Sequence, residues 1–161
     1  MEKKNLPNIA IIDGDFLLYY CTYPKKVVQE ETTVFINKSL KEVFESADSS
    51  ISQILTATNS EHYIAYLTVG SFRYKIYQEY KANRKHREKP EHFRELVDYL
   101  IQAKGFRVYE ELEADDCVNI TRLSIKEYNP IMVSNDTDLL SLEGVHYNPI
   151  KKTFISCSSD Q

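Results

Sequence analysis

The sequence has no tryptophan and only four glycines, five prolines and two methionines among its 161 residues. It also lacks any apolar run long enough to cross a bilayer, and no signal-peptide core follows the first residues. These absences argue against a membrane protein and predict a cytoplasmic location. Without internal repeats or low-complexity tracts, the chain is long enough for one well-packed domain and short for two.

Cysteine and histidine spacings typical of metal or redox sites are absent as well. Cys21, Cys117 and Cys157 are odd in number, widely separated and in no C-x-x-C pair. This pattern predicts reduced thiols in a reducing compartment. The four histidines do not have the spacing of a zinc site.

The charge of the chain is unevenly distributed. The formal net charge is −4, whereas nucleic-acid-binding proteins usually carry a basic surface. Residues 73–89, however, contain seven Lys and Arg residues against two Glu residues. This distribution predicts a cationic groove beside an acidic pocket.

Apolar periodicity predicts an α/β fold. Short apolar runs indicate strands at residues 8–12, 62–67, 106–109 and 131–134, and residues 153–155 are strand-like. Helical spacing follows Ser39 and recurs at residues 93–101, with helices also expected at 16–23 and 114–127. Residues 27–36, rich in Val and Thr, are not assigned. The alternation predicts three layers, with helices on both faces of a mostly parallel sheet.

Acidic side chains follow three of the predicted strands. The three groups are Asp13; Glu113, Asp115 and Asp116; and Asp136 with Asp138. Because the carboxyl ends of parallel strands meet at one edge, we expect the carboxylates to converge there and to repel one another unless cations neutralise them. Ligation by oxygen alone favours Mg²⁺ or Mn²⁺ over zinc. The alternative, helix caps and solvated turns, explains one such group better than three at matched strand ends.

A basic and aromatic segment covers residues 72–85. Its Lys and Arg side chains can neutralise phosphates, and its tyrosines can stack on unpaired bases. The alternative is a solvated helix surface whose tyrosines cover the core. Next to a predicted metal pocket, we favour the nucleic-acid-binding interpretation.

These segments together resemble the 5′-nuclease family that includes flap endonucleases, phage exonucleases and the N-terminal domain of bacterial DNA polymerase I. The matching pieces occur in family order over nearly the whole chain: Ile12-Asp13-Gly14, Phe72-Arg73, Tyr80-Lys81-Ala82-Asn83-Arg84, Glu113-Ala114-Asp115-Asp116 and Asp136-Thr137-Asp138-Leu139-Leu140. The resemblance implies a PIN-like fold.

The resemblance also implies roles for individual residues. The acids that would hold metal, directly or from the outer shell, are Asp13, Glu113, Asp115, Asp116, Asp136 and Asp138. Lys81 and Arg84 would contact the scissile phosphate, with Tyr80 near the terminal base. Arg73 would support their helix, and Lys85 would add to the nucleic-acid-binding surface. Asp15 has no clear counterpart in the family and is interpreted as a turn residue.

Two features depart from the family pattern. Family members usually carry another metal-binding Asp after the second strand, whereas residues 65–70 contain no acid. They also continue into a helix–three-turn–helix element that grips duplex DNA, which this sequence is expected to lack. We therefore expect one strongly bound ion and one weakly bound ion. We also expect weak, salt-sensitive binding of duplex DNA unless a protein partner or separate chain supplies the duplex-binding element.

The leading hypothesis is a single nuclease domain, residues 1–161, that cleaves DNA near 5′ ends or flaps, with RNA as an alternative substrate. Two Mg²⁺ or Mn²⁺ ions about 4 Å apart would activate water and stabilise the leaving oxygen. A second hypothesis is a catalytically weak or inactive nucleic-acid-binding or partner-binding remnant of such a nuclease. A third is a dehalogenase-like phosphatase, suggested by Asp13-Gly14-Asp15. It ranks lowest because Leu17 replaces the usual Thr or Val, and the basic segment has no role in that chemistry.

Overall fold

The computed structural model describes residues 5–68 and 90–158, and its main feature is a five-stranded sheet. In chain order the strands are β1 (Asn8–Asp13), β2 (Lys25–Gln29), β3 (Thr32–Ile36), β4 (Ser60–Tyr66), β5 (Asn129–Val133), β6 (Gly144–Asn148) and β7 (Thr153–Cys157). The order across the main sheet is β4-β1-β5-β6-β7. Strands β4, β1, β5 and β6 run parallel, and β7 pairs antiparallel with β6. Strands β2 and β3 form a separate antiparallel hairpin.

Four α-helices and one 3-10 helix accompany these strands in the described part of the chain. They are α1 (Asp15–Tyr20), α2 (Leu40–Ala57), α3 (Phe93–Gln102), α4 (Ala114–Ser124) and the 3-10 helix Thr137–Ser141. Helix α2 begins with a capping box. The Ser39 hydroxyl accepts a hydrogen bond from the Glu42 backbone N–H at 3.2 Å, and the Glu42 carboxylate accepts one from the Ser39 backbone N–H. None of the described helices is long and apolar enough to span a bilayer.

The alternating side chains of β1 face two different cores. Ala10 and Ile12 pack in the cluster that contains the buried residues of α1, α2 and α3. Ile9 and Ile11 pack in a second cluster with the buried face of α4. Because successive strand residues point to opposite faces, the central strand is buried on both sides. The predicted three-layer α/β architecture is confirmed.

Some predicted elements were wrong in extent. The strand expected at residues 106–109 is reduced to a single parallel bridge between Tyr66 and Arg107. Arg107 N–H donates to the Ala65 carbonyl, and Leu67 N–H donates to the Arg107 carbonyl. A turn closed by Leu112 N–H and the Tyr109 carbonyl then takes the chain away from the sheet.

Two predicted helices are shorter than expected. The helix predicted at 16–23 covers Asp15–Tyr20, and the one predicted at 114–127 ends at Ser124. Ile125 terminates the second helix because its backbone is extended, with ψ 126°.

Candidate metal centre at the carboxyl edge of the sheet

The first part of the site is the sharp turn that follows β1. Asp13 is the last residue of β1, and only 8% of its surface is exposed. Gly14 N–H donates to the Tyr66 carbonyl at 2.8 Å, which joins this turn to the end of β4. A Cβ at Gly14 would lie 2.6 Å from Phe106 Cε2 and 2.9 Å from the Tyr66 carbonyl oxygen. The absence of a side chain at Gly14 therefore allows the close approach that positions Asp13.

The second part is a group of three acids at the start of α4. Glu113 is the buried N-cap residue, and Asp115 and Asp116 lie in the first turn. One carboxylate oxygen from each residue can be chosen so that all three lie within 4.8 Å of one another. Asp116 Oδ2 also accepts a hydrogen bond from Glu113 N–H at 3.2 Å. The start of α4 is also the positive end of the helix dipole, which attracts anions.

Thr68 connects the two parts through two hydrogen bonds. Its backbone N–H donates to Asp15 Oδ1 at 2.7 Å, and its Oγ1 accepts from the backbone N–H of Ala114 at 2.7 Å. The end of β4 is thereby tied both to the turn after β1 and to the first turn of α4. The sequence interpretation treated Asp15 as a turn residue and gave Thr68 no role. Only the tertiary contacts identify these two residues.

The third part is the loop between β5 and the 3-10 helix. Ser134 Oγ donates to Asp13 Oδ2 at 3.4 Å and accepts from Asp136 N–H at 2.9 Å. Asp136 caps the 3-10 helix, with Oδ1 accepting from Asp138 N–H at 2.9 Å. Asp136 and Asp138 are both exposed. Ser134, which the sequence interpretation also missed, links this loop to Asp13.

The carboxylates create a negative field around Asp13. The pKa of Asp13 is raised from 3.8 to about 8, first by burial and then by the charge of Asp15, with smaller contributions from Asp115 and Asp136. The backbone N–H of Asp15, which donates to Asp13 Oδ1 at 3.3 Å, opposes this rise. The negative charges also act on Cys117 in the core. Burial, and then the charges of Asp116 and Asp115, raise the pKa of its thiol to about 11.

The structure therefore brings only some of the predicted metal ligands into one tight group. Within residues 5–68 and 90–158, the tight acidic group consists of Glu113, Asp115 and Asp116. Asp13 and Asp136 lie outside this group, yet Asp13 interacts electrostatically with Asp115 and Asp136. Asp138, also outside the group, lies on the exposed loop. The predicted nucleic-acid-binding residues are outside the described part of the chain: Arg73, Tyr80, Lys81, Arg84 and Lys85.

The donor set fits a hard divalent cation. The tight group offers only carboxylate oxygens, which Mg²⁺ and Mn²⁺ prefer as ligands. A cation beside Asp13 would also offset the repulsion and desolvation that raise the pKa of this carboxyl. The acidic cluster can therefore hold a metal ion.

Comparison with known proteins agrees with the architecture of the chain. No curated protein matches the sequence. One family model matches residues 8–157, which is nearly the whole chain, and it describes the N-terminal resolvase-like domain of 5′-3′ exonucleases. The resemblance found in the sequence motifs is thereby confirmed, and the chain belongs to the family of 5′-3′ exonuclease N-terminal, resolvase-like nuclease domains.

Proposed function

We propose that this domain hydrolyses phosphodiester bonds of DNA at or near 5′ ends or flaps in a reaction that depends on Mg²⁺ or Mn²⁺, with RNA as an alternative substrate. The observation that carries the proposal is the group of three carboxylates at the start of α4, next to the buried Asp13. Family membership supports a nuclease. The acidic edge supports metal as its cofactor.

The proposed metal ligands differ in how firmly the fold holds them. Glu113, Asp115 and Asp116 are fixed by the first turn of α4, and Asp13 by the end of β1. Asp136 and Asp138 would contribute from the exposed loop after β5. When bound, a divalent cation polarises the phosphoryl oxygen and lowers the pKa of a bound water, which makes that water a nucleophile at neutral pH.

The chain itself supplies positioning and charge. Thr68 and Ser134 orient the acidic elements through the hydrogen bonds described above. Asp115 and Asp116 lie in the first turn of α4, at the end of the helix that attracts negative charge. We further propose that Lys81 and Arg84 stabilise the negative charge that develops on the phosphate during hydrolysis.

The proposal is tested by incubating 5′-labelled flap DNA with the protein in EDTA, Mg²⁺ or Mn²⁺. We expect cleavage near the junction only in the presence of metal. Asp115→Asn should greatly reduce this cleavage. It should also weaken Mn²⁺ binding by at least about tenfold in calorimetry, because even outer-shell partners of metal ligands contribute roughly ten- to a hundredfold. Glu111→Gln, at an exposed acid just before the cluster, is the matched control and should behave as the wild type.

A second candidate function is nucleic-acid binding without catalysis. The observation that favours it is the acid-free end of β4, where Leu67 and Thr68 follow the strand and Thr68 uses its hydroxyl to hold α4. A protein of this kind would bind DNA but leave it intact in Mg²⁺ and in Mn²⁺. Metal-dependent cleavage that Asp115→Asn removes would refute this alternative.

A further inference from the structure

The carboxylate of Asp15 contacts a segment that is distant in the sequence. Asp15 is the first residue of α1, and its Oδ1 accepts a hydrogen bond from the backbone N–H of Thr68 at 2.7 Å, across 53 residues of chain. The N-terminus of α1 has no side-chain capping bond. Turn and capping residues commonly bond to backbone groups of their own turn, whereas this contact joins two separate parts of the fold. It indicates more than a turn residue.

Strand β4 brings no acid of its own to the carboxyl edge of the sheet. Because β4 and β5 both run parallel to β1, the three strands end at the same edge. Asp13 is the last residue of β1 and Asp136 follows β5, but residues 65–70 contain no Asp or Glu. Thr68, the second residue after β4, holds the Asp15 carboxylate at this place. Asp15 thereby supplies an acid where β4 supplies none.

The same contact places Asp15 between the two buried parts of the acidic edge. Thr68 Oγ1 accepts from the backbone N–H of Ala114, the first residue of α4, at 2.7 Å. On the other side, the backbone N–H of Asp15 donates to Asp13 Oδ1 at 3.3 Å. Of the carboxylates that act on Asp13, Asp15 has the largest electrostatic effect. Asp15 is therefore beside Asp13 and is linked to the start of α4 through Thr68 alone.

A cation at the edge would offset the repulsion between Asp13 and Asp15. Two like charges this close disfavour each other's ionised form, and a positive charge nearby favours it. A carboxylate has about four lone-pair sites, so acceptance of one N–H bond from Thr68 is compatible with cation binding. Mg²⁺ usually keeps several waters when it binds to protein carboxylates. Asp15 can therefore act on such an ion directly or through one of its waters.

We infer that Asp15 contributes its carboxylate to cation binding at the acidic edge, at the end of β4 where the chain has no acid. The inference rests on the metal-dependent nuclease function proposed above and adds a residue to its cation site. Like Asp13, Asp15 lies outside the tight group at the start of α4. Its contribution is a negative charge and an oxygen beside Asp13, which the sequence pattern alone did not assign.

The test compares two substitutions of Asp15 by calorimetric titration with Mn²⁺ in the absence of nucleic acid. Asp15→Asn keeps an oxygen that can accept from Thr68 N–H but removes the charge, whereas Asp15→Ala removes both. We expect Asp15→Asn to weaken Mn²⁺ binding by roughly ten- to a hundredfold, the range for residues that support metal ligands. In EDTA its urea midpoint should equal or exceed that of the wild type, because the repulsion with Asp13 is gone. Asp98→Asn, at an exposed aspartate on α3, is the matched control and should bind Mn²⁺ as the wild type does.

Two outcomes would overturn the inference. If Asp15→Asn binds Mn²⁺ with wild-type affinity and only Asp15→Ala is impaired, the carboxylate serves solely as the acceptor for Thr68. If Asp15→Asn binds Mn²⁺ more weakly but also has a lower urea midpoint in EDTA, the loss belongs to the fold. The nuclease proposal fails separately, when the wild type binds Mn²⁺ and leaves flap DNA intact. Conversely, flap cleavage in Mn²⁺ together with wild-type affinity in Asp15→Asn refutes only the role of Asp15.

Discussion

Replacing Asp13 with Asn should stabilise the metal-free protein near neutral pH, although this residue is a proposed metal ligand. The pKa of Asp13 is raised from 3.8 to about 8 by burial and by the charge of Asp15. Between these two values the folded protein keeps a proton that the unfolded chain has released. Below about pH 4, Asp13 therefore does not destabilise the folded state. Between about pH 4 and pH 8, the free energy of unfolding falls as the pH rises. Asn carries no charge to bury, so the variant avoids this loss.

The size of the effect follows from the same shift. For one proton, each pH unit between the two pKa values lowers the free energy of unfolding by about 1.36 kcal/mol. At about pH 7 the loss is therefore at most roughly 4 kcal/mol. Structural relaxation and water penetration reduce the effective cost of burying a charge. We therefore expect Asp13→Asn to raise the free energy of unfolding by about 2 to 3 kcal/mol at neutral pH. Near pH 4 the variant and the wild type should differ little.

The assay is urea denaturation in EDTA over the range from about pH 4 to pH 8. Asp98→Asn, an exposed aspartate on α3, is the control and should keep the pH dependence of the wild type. Adding Mn²⁺ should reverse the order of stability, because a cation that binds only the folded state stabilises it by RT ln(1 + [L]/Kd). If Asp13→Asn is less stable than the wild type in EDTA at neutral pH, or has the same pH slope, the electrostatic argument is wrong.

Two further predictions concern the contacts around the site. Thr68→Val keeps the shape of the side chain but removes the acceptor for Ala114 N–H, so calorimetry should show weaker Mn²⁺ binding and denaturation a loss of about 1 to 2 kcal/mol. Thr68→Ser should restore both values, and an unaffected Mn²⁺ affinity in Thr68→Val would exclude this positioning role. Gly14→Ala would place a Cβ 2.9 Å from the Tyr66 carbonyl oxygen, so denaturation should show a loss of about 1 to 3 kcal/mol. Wild-type stability in that variant would show that the turn after β1 is not tightly packed.

Much of the fold was predictable from local pattern. Apolar runs identified β1, β4 and β5. The run is clearest in β1, which is apolar between Asn8 and Asp13 because both of its faces are buried. Helical spacing after Ser39 identified α2, which runs from Leu40 to Ala57. The hairpin of β2 and β3 was not assigned because its side chains are mostly exposed and show no clear alternation between a polar and an apolar face.

The order of the strands in the sheet could not be predicted from the sequence. Strand β6 was not predicted, and the strand expected at residues 106–109 became a single bridge. Both outcomes depend on which neighbour a segment finds at the edge of the sheet. Local apolar content does not determine that choice.

The sequence by itself determined which acids are grouped at the start of α4, because Glu113, Asp115 and Asp116 are neighbours on one helical turn. The tertiary structure decided what surrounds them. Thr68 contacts Asp15 and Ala114 across 53 and 46 residues of chain, and Ser134 contacts Asp13 across 121. These contacts exist because β1 lies between β4 and β5 in a parallel sheet, which brings three distant chain segments to one edge. The burial that raises the pKa of Asp13 has the same origin, since helices cover both faces of β1.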